Sequence, residues 1–340
     1  MNKQTKKDFM MIPLFLLFLS LVLSCFLLVI SLLVDIPCTS ENQLIVVPDQ
    51  TSDCAFVFML SSNAYFPCLS VAVHSLQDTG TTKDIIVMVT PNIWSTIGSA
   101  LRSMGIIVVE INAVSNPNHH TGHHFRDNYT KLRIWQLAQY KKIVYSDSDF
   151  IYVKNSDDLC ELPGAVSAGR NYYTKKKTWP DPDYFNAGFM VITPGVDTYC
   201  DMMESSKDFV SPTGGDQPFQ NYYWKDVWEE LDYKYDGVNA NVYKRTHKEW
   251  DKHKIRSIHY TRSTNPCNVR FEDSVREQFD KFLRKGKKAT SQPPGLWWQA
   301  KESLLEDYPQ FIELFNQCGF MAGWDDGGYA DGPRHQLGFL

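Results

Sequence analysis

Two aspartates one residue apart, Asp147 and Asp149, interrupt an otherwise apolar and aromatic stretch, KKIVYSDSDFIYV (141–153). Carboxylates rarely enter such a stretch unless they are paired or bind a metal. Alternate side chains of a strand project to the same face, so both carboxylates would face one site at the strand's carboxyl end. Two carboxylates this close repel each other unless a cation lies between them or one is protonated. The spacing therefore predicts a site for a hard divalent cation, although D-x-D also arises by chance and in turns.

The segments upstream of the aspartates predict the sheet that would position them. The stretches CAFVFML (54–60), IIVMVT (85–90) and IIVVEI (106–111) are typical of buried strands. The segments 66–76 and 93–104 between them have helical apolar spacing. A strand–helix–strand–helix–strand order favours right-handed crossovers and a mainly parallel sheet. Such sheets bind ligands beyond the carboxyl ends of their strands, where the two aspartates are expected.

The alternation of strands and helices continues along the rest of the chain. The pattern predicts a helix over 132–140, a strand over 142–146, a strand within FNAGFMVITP (185–194) and a turn at GGDQ (214–217). The segment WWQAKESLLEDYPQFIELFNQC (297–318) predicts one terminal amphipathic helix. The whole order favours an α/β fold with a mainly parallel sheet.

Charge and cysteine content exclude some classes of protein. The chain of 340 residues carries a net charge of −5, which gives no support for a nucleic-acid partner, because its phosphates would need a basic face. It has eight cysteines without C-x-x-C spacing, so a zinc cluster is not predicted. One of them, Cys25, lies in an apolar N-terminal stretch, and the odd remainder leaves at least one thiol free or paired between chains. We interpret the histidines of HHTGHH (119–124) as part of a solvated loop rather than a metal site.

The apolar N-terminal stretch, residues 9–34, contains no charged residue and is long enough to cross a bilayer. Lysines precede it while Asp35 and Glu41 follow it, so the positive-inside rule predicts a cytosolic N-terminus and a lumenal remainder. A cleaved signal peptide is the alternative, but LVDIPCTS is a poor cleavage site. The predicted organisation is a cytosolic tail (1–8), a transmembrane signal anchor (9–34), a stem (35–52), a catalytic domain (53–275) and a helical extension with a loose tail (276–340).

The stretch NYTKLRIWQLAQYKKIVYSDSDFIYVKNSDDL (128–159) resembles the family 8 retaining glycosyltransferases, the group of glycogenin, galactinol synthase and plant glucuronosyltransferases. That family has a T/S-K-L-x-x-W helix before a hydrophobic strand that ends in D-x-D. The resemblance covers residues 54–262 in the correct order and includes FVFMLSSNAY, WPDPDYFNAGFMVITP, GGDQPFQN and IHY. It implies a GT-A type fold, which is a Rossmann-like α/β nucleotide-binding domain with a mixed, mainly parallel sheet.

The resemblance also implies a metal site. Asp147 and Asp149 match the family's metal-binding D-x-D, and His259 of IHY matches its third protein ligand. A histidine nitrogen beside two carboxylate oxygens favours Mn²⁺ as the bound metal. Mg²⁺ is the alternative cofactor. In the family the metal lies against the two phosphates of a UDP-sugar donor.

Further positions match residues that bind the donor or lie near its reacting carbon. Lys131 matches a lysine near the donor's phosphate and sugar, while Asp216 and Gln217 match residues beside the anomeric carbon and are the expected catalytic residues. The other expected donor-binding residues are Ser62, Asn63 and Tyr65 for the nucleobase, and Asp183 and Asn186 for the sugar hydroxyls. The alternatives are an ordinary strand-to-helix turn at 62–65, buried capping residues at 183 and 186, and a helix N-cap at Asp216.

The chain departs from the family at two places. The family's H-x-x-G-x-x-K-P-W is HYTRSTNPC (259–267) here, so Arg262, Asn265 and Cys267 replace the glycine, lysine and tryptophan. Thr213 stands where glycogenin has a second acidic residue, so self-glucosylation of a tyrosine is not supported. These departures keep open the hypothesis of a sugar-nucleotide-binding protein without turnover.

We therefore expect a retaining, metal-dependent transfer of a hexose-type sugar from a UDP-sugar to a hydroxyl of a glycan, polyol or glycoprotein. The expected location is the Golgi or another secretory-pathway membrane, with single-pass type II topology. A phosphatase of the haloacid dehalogenase type is the remaining alternative, because its nucleophile also lies in a strand-end D-x-D. That class expects the motif on its first strand with Thr or Val two residues later, where this chain has Ile151.

Overall fold

The strand β1 (Cys54–Leu60) lies inside the main sheet, between two other strands, and is buried on both faces. Phe56 and Phe58 face one apolar cluster, whereas Ala55 and Val57 face another. A strand that is covered on both faces has a continuous apolar sequence, as CAFVFML does. The sheet is therefore the middle of three layers, with helices on either side.

In the described part of the chain the main sheet has seven strands in the order β3-β2-β1-β4-β7-β6-β8. Besides β1 they are β2 (Asp84–Val89), β3 (Ile107–Glu110), β4 (Lys142–Ser146), β6 (Val166–Arg170), β7 (Phe185–Ile192) and β8 (Trp228–Glu230). The pairs β1–β2, β1–β4, β2–β3 and β6–β8 are parallel. Only β7 runs antiparallel to its neighbours β4 and β6 among these strands. The predicted mixed, mainly parallel sheet is confirmed.

A smaller sheet joins β5 (Phe150–Tyr152), β10 (Ser257–His259) and β9 (Gly237–Val238). Strands β5 and β10 are antiparallel, with Phe150 opposite His259. The D-x-D motif lies in the connection between β4 of the main sheet and β5 of the small sheet. The pairing of β5 with β10 therefore brings a histidine from far along the chain to the motif.

Helices cover both faces of the main sheet. Those described are α1 (Phe66–Asp78), α2 (Ser95–Ser103), α3 (Val196–Asp208), α4 (Asp216–Trp224), α5 (Pro293–Asp307) and α6 (Phe311–Gln317). Helices α1, α2, α5 and α6 contribute to one apolar cluster, and α3 and α4 contribute to the other. The helices predicted over 66–76 and 93–104 are confirmed, the second with shorter bounds.

Two helix predictions need correction. The segment predicted as a helix over 132–140 is a 3-10 helix over Asn128–Gln136, in which every residue from Tyr129 onward is buried. The prediction assumed an α-helix with one apolar face, but this segment is buried on all sides. Its tighter 3-10 conformation therefore follows from the surrounding packing and not from an apolar periodicity. The terminal helix predicted over 297–318 is two helices, α5 and α6, because Pro309 has no backbone N–H and restricts the residue before it.

Disulfides connect distant parts of the fold. Cys54 of β1 is bonded to Cys160, and Cys68 of α1 is bonded to Cys267. Cys200 is also disulfide-bonded. Among the described cysteines Cys318 has a free thiol, as the odd count predicted, and burial raises the pKa of that thiol to about 11. The cysteine that replaces the family's tryptophan at position 267 thus has a structural partner in α1.

The computed structural model describes residues 44–117, 127–171, 184–235, 237–238, 254–260, 267 and 293–318. These residues all belong to one compact unit, Leu44–Leu340. Within them there is no helix that is both long and apolar enough for a bilayer crossing. The predicted anchor (9–34) and the histidines of HHTGHH (119–124) lie outside the described residues, and so does most of the predicted loose tail.

Candidate active site

The two aspartates lie in a bend rather than on a strand. Strand β4 ends at Ser146 and β5 begins at Phe150, so the prediction that strand alternation aligns their side chains was wrong. The backbone instead holds them from two sides: Asp147 N–H donates to the carbonyl of Gly188 (2.8 Å), and the carbonyl of Asp149 accepts from Tyr260 N–H (2.8 Å). The carboxylates converge because β7 and β10 fix the two ends of the bend.

The structure brings Asp147, Asp149 and His259 together. Each offers one ligand atom, and these atoms lie within 4.8 Å of one another. His259 Nε2 lies 3.3 Å from Asp149 Oδ1, and the His259 ring packs 5.4 Å from the ring of Phe150. His259 is buried, whereas the side chain of Asp147 is 33% exposed, so the cluster is dry on one side and open on the other. Two carboxylate oxygens and an imidazole nitrogen at this separation fit a divalent cation such as Mn²⁺.

Gly188 of β7 leaves room for two of the three ligands, His259 and Asp147. A Cβ atom at this position would lie 2.4 Å from His259 Cε1, 2.8 Å from Asp147 Oδ2 and 2.9 Å from Asn186 Oδ1. These separations are shorter than van der Waals contact, so only glycine fits the observed arrangement. The sequence analysis missed this residue, although a glycine inside a buried strand often marks the close approach of another group.

Lys131 lies between the D-x-D motif and helix α4. Its Nζ is 3.1 Å from Asp147 Oδ1 and 3.4 Å from Asp216 Oδ2, and it donates to the carbonyl of Ala187 (3.2 Å). Burial by itself lowers the pKa of Lys131, but the two carboxylates outweigh burial and the net shift is upward. The site therefore holds a permanent buried cation between a metal-type ligand and an expected catalytic residue.

Tyr145, which the sequence analysis did not single out, orients Asp147. Its hydroxyl donates to Asp147 Oδ1 (2.7 Å), the same oxygen that pairs with Lys131. Burial, followed by the neighbouring charge of Asp147, raises the pKa of Tyr145, so the hydroxyl keeps its proton and remains a donor. Because both donors engage Oδ1, Oδ2 is the oxygen of Asp147 that faces the space beside Gly188.

Asp216 and Gln217 begin helix α4. Gly215 is the N-cap, so the alternative that Asp216 caps the helix is not supported. Asp216 Oδ2 accepts from the side chain of Gln220 (2.7 Å), and Gln217 Oε1 accepts from Ala187 N–H (3.1 Å). A carboxylate in the first turn is favoured by the positive end of the helix dipole. Gln217 thus contacts β7 at Ala187, the residue whose carbonyl accepts from Lys131, while Asp216 contacts Lys131 itself.

The expected sugar-binding pair is placed only in part. Asn186 lies on β7, and its side-chain Oδ1 accepts from Gly188 N–H (2.7 Å). Asp183 lies outside the described residues. Asn186 therefore belongs to the same wall as Gly188, directly beside the metal-type ligands.

The expected nucleobase-binding residues follow the carboxyl end of β1. Asn63 Oδ1 accepts from Trp94 N–H (3.0 Å), and the carbonyl of Ser62 accepts from Tyr65 N–H (3.1 Å). Burial raises the pKa of the Tyr65 hydroxyl, and the negative charges of Asp149 and then Asp147 add to the rise. Tyr65 therefore lies within electrostatic range of the D-x-D motif, while 42% of the residue stays exposed.

A cleft of about 610 Å³ opens at the opposite, amino edge of the sheet, where Thr51, Asp84 and Ile106 line it. The carboxylate of Asp84 there accepts hydrogen bonds from Thr51 N–H (3.0 Å) and from the hydroxyl of Tyr140 (2.8 Å). Those bonds tie the chain before β1 to the sheet, so we assign this cleft a structural role. The reactive groups are at the carboxyl edge.

The structure describes some of the residues at which the chain departs from the family pattern. Thr213 lies in the loop before α4, where its hydroxyl oxygen accepts from Gly215 N–H (3.3 Å). Arg262 and Asn265 lie outside the described residues. The structure thus gives Thr213 a role in the turn that starts α4.

Comparisons with known proteins agree with this geometry. The chain is 28% identical over 258 residues to a glycogenin of Neurospora crassa, which covers 72% of this chain and 34% of that protein. It is 33% identical over 177 residues to inositol phosphorylceramide glucuronosyltransferase 1 of Arabidopsis thaliana, covering 52% of this chain and 31% of that protein. It is 26% identical over 295 residues to galactinol synthase 5 of Arabidopsis thaliana, covering 76% and 84% of the two. The chain thus spans about a third of the length of the first two relatives.

A solved structure shows the same fold. The galactosyltransferase LgtC in complex with donor and acceptor sugar analogues has a TM-score of 0.53 at 14% identity, covering 76% of this chain and 99% of that one. The family profile described as Glycosyl transferase family 8 matches residues 56–266, which is more than half of the chain and includes every residue of the site described above. The chain belongs to glycosyl transferase family 8.

Proposed function

We propose that this protein is a metal-dependent, retaining glycosyltransferase that moves a hexose-type sugar from a UDP-sugar to an acceptor hydroxyl. The observation that carries the proposal is the convergence of Asp147, Asp149 and His259 beside Lys131 in a chain of family 8. The Lys131 ammonium and three possible metal ligands lie at the carboxyl edge of a sheet of the nucleotide-binding type. Such an arrangement can bind the negative charges of a diphosphate.

The first part of the proposal is the metal. The ligand atoms of the two aspartates and His259 fit one divalent cation, and Gly188 leaves room for His259 and Asp147 to converge. A nitrogen ligand favours Mn²⁺ over Mg²⁺. When bound, the cation supplies a Lewis acid that neutralises the departing diphosphate.

The second part is the role of the chain's own groups. The raised pKa of Lys131 keeps its ammonium charged, so it can attract a donor phosphate or a sugar hydroxyl. Asp216 keeps Lys131 in place from the other side through Oδ2, which also accepts from the side chain of Gln220. Gln217 is fixed by Ala187 N–H, which donates to its Oε1. These residues orient the sugar and exclude water from the side facing α4.

Retention of configuration can follow two routes at this site. In one, Asp216 or Gln217 forms or shields a glycosyl intermediate; in the other, the acceptor attacks from the face of the leaving group. The contacts of Asp216 with Lys131 and Gln220 stabilise it as a charge. An α-linked product is expected from an α-linked donor under either route.

The third part is the cellular setting. We propose a single-pass type II protein of the Golgi or another secretory-pathway membrane, with the catalytic domain in the lumen. The uncharged stretch at 9–34 supports an anchor, and the disulfides Cys54–Cys160 and Cys68–Cys267 support an oxidising compartment. The acceptor is proposed to be a glycan, polyol or glycoprotein.

A panel of UDP-sugars tests the proposal. The full chain is incubated with each sugar and Mn²⁺ or a chelator, and release of UDP is measured with and without a mixture of acceptor glycans and polyols. We expect Mn²⁺-dependent release from at least one UDP-sugar, and much slower release from the Asp149→Asn variant. Asp208→Asn, an exposed carboxylate at the end of α3, is the matched control that keeps activity.

The same panel separates the alternative of a binding protein without turnover. In that case one UDP-sugar would bind in the presence of Mn²⁺ without release of UDP under any condition. The altered segment at 259–267 is the feature that favours this alternative. Failure of every UDP-sugar to bind would contradict both hypotheses.

A further inference from the structure

A second cluster of metal-type ligands lies away from the active site, between helices α1 and α5. His74 and Asp78 are one turn apart on α1, and Asp307 is the last residue of α5. Each offers one ligand atom, and these atoms lie within 4.8 Å of one another. Because His74 and Asp307 are 233 residues apart, the cluster exists only when α5 is docked on α1.

His74 is held in one orientation inside this cluster. Its side chain is 4% exposed, with Nε2 at 2.9 Å from Asp307 Oδ2 and Nδ1 at 3.5 Å from Asp78 Oδ2. The Tyr308 ring packs edge-on against it at 5.9 Å. Nδ1 is buried and makes no hydrogen bond within the described part of the chain. The buried imidazole faces one carboxylate through each ring nitrogen, and an imidazole together with carboxylates is a donor set found at zinc sites.

The two aspartates make the cluster accessible to a cation. Their side chains are 50% and 62% exposed, so a cation can enter from solvent while the histidine side stays dry. An imidazole nitrogen with carboxylate oxygens is a donor set that zinc accepts, whereas Ca²⁺ and Mg²⁺ prefer oxygen ligands alone. Helix α1 and the segment after α5 also pack against each other elsewhere, where the rings of Phe66 and Phe311 lie 5.5 Å apart.

We propose that His74, Asp78 and Asp307 form a Zn²⁺ site that fastens helix α5 to α1, with water completing the coordination. The site is separate from the D-x-D cluster and does not depend on the proposed transferase function. Its role is structural: it joins the end of the described chain to the helix that follows β1. That helix also carries Cys68, so the cation and the disulfide hold α1 at two points.

Zinc binding by the full chain tests the proposal. Metal-free protein is dialysed against Zn²⁺, and bound zinc per chain is measured for the wild type, His74→Gln, Asp307→Asn and the matched control Glu306→Gln. Glu306 is the exposed neighbour of Asp307 on the same helix and lies outside the cluster. We expect the wild type and Glu306→Gln to bind one more Zn²⁺ than Asp307→Asn and His74→Gln. Any zinc at the D-x-D cluster is common to all four proteins and cancels in the comparison.

Thermal unfolding provides the second readout. Zn²⁺ should raise the Tm of the wild type and of Glu306→Gln, and should raise it less for Asp307→Asn, because a ligand stabilises only the state that binds it. Equal zinc stoichiometry and equal zinc-dependent Tm shifts in all variants would overturn the proposal. A lower Tm in Asp307→Asn with unchanged zinc binding would also overturn it, since the cluster would then be only a hydrogen-bonded contact. Asp307 is exposed, so this variant decides the question even if His74→Gln does not fold.

Discussion

Replacing Gly188 by alanine is the change that strains the active site most directly. The added Cβ would lie 2.4 Å from His259 Cε1 and 2.8 Å from Asp147 Oδ2. Ordinary contacts between carbon atoms are about 3.5–4.0 Å, so the histidine must retreat by roughly 1 Å or β7 must move. Strand β7 is hydrogen-bonded on both sides, to β4 and β6, which makes the histidine the group that gives way.

The size of the effect follows from this displacement. Overpacking a well-packed site costs about 1–3 kcal/mol of folding stability. A reacting or binding group misplaced by about 1 Å typically costs on the order of 100-fold in rate. For Gly188→Ala we therefore expect a modest fall in Tm together with a loss of about 100-fold in Mn²⁺-dependent release of UDP, and a weaker apparent affinity for Mn²⁺.

The assay is a Mn²⁺ titration of UDP release at saturating UDP-sugar, paired with thermal unfolding. Gly195→Ala is the matched control, because its Cβ would meet only Thr198 at 3.5 Å and its backbone is extended at φ −173°. We expect Gly195→Ala to keep the wild-type Mn²⁺ dependence. If Gly188→Ala titrates with Mn²⁺ as the wild type does, His259 and Asp147 do not need the room that Gly188 leaves, and the reasoning is refuted.

Three further substitutions test two groups beside the metal ligands and one disulfide of the fold. Tyr145→Phe removes the hydroxyl that orients Asp147. The apparent Mn²⁺ affinity in the UDP-release assay should therefore fall about 10-fold, while the circular dichroism spectrum stays unchanged. An unchanged Mn²⁺ affinity would contradict the orienting role of Tyr145. Lys131→Met leaves the carboxylates of Asp147 and Asp216 without their buried cation. The free energy of unfolding, measured by chemical denaturation, should therefore fall by about 3–5 kcal/mol, and sugar transfer should cease. Wild-type stability of this variant would show that the ion pairs contribute nothing. Cys267→Ser opens the disulfide to α1 and should lower the free energy of unfolding by about 2–5 kcal/mol. The control Cys318→Ser, which removes a free thiol, should leave the free energy of unfolding nearly unchanged. Equal stabilities of the two variants would contradict this prediction.

The strands that position the site could be predicted from the sequence because their apolar runs are continuous. CAFVFML at 54–60 and the strand before the aspartates are buried on both faces, and such runs are rich in residues with high strand propensity. The expected ligands Asp147, Asp149 and His259 also lie together. The two aspartates converge through a bend between β4 and β5, however, and not through the predicted strand alternation.

What the sequence did not predict depends on contacts between distant segments. Tyr145 resembles any buried aromatic residue until its hydroxyl is seen against Asp147. Gly188 has a role only because His259, 71 residues later, packs against its backbone. The 3-10 helix over Asn128–Gln136 likewise follows from burial on all sides, which no periodicity within the segment reports.

The central claim is that the D-x-D cluster holds a cation against a nucleoside diphosphate. The most direct measurement is calorimetric titration of the full chain with UDP, with and without Mn²⁺, for the wild type, Asp149→Asn and the control Asp208→Asn. We expect Mn²⁺ to tighten UDP binding by at least about 10-fold in the wild type and in Asp208→Asn, and Asp149→Asn to lose that gain while it keeps the wild-type circular dichroism spectrum. Equal UDP affinity of the wild type with and without Mn²⁺ would contradict the account.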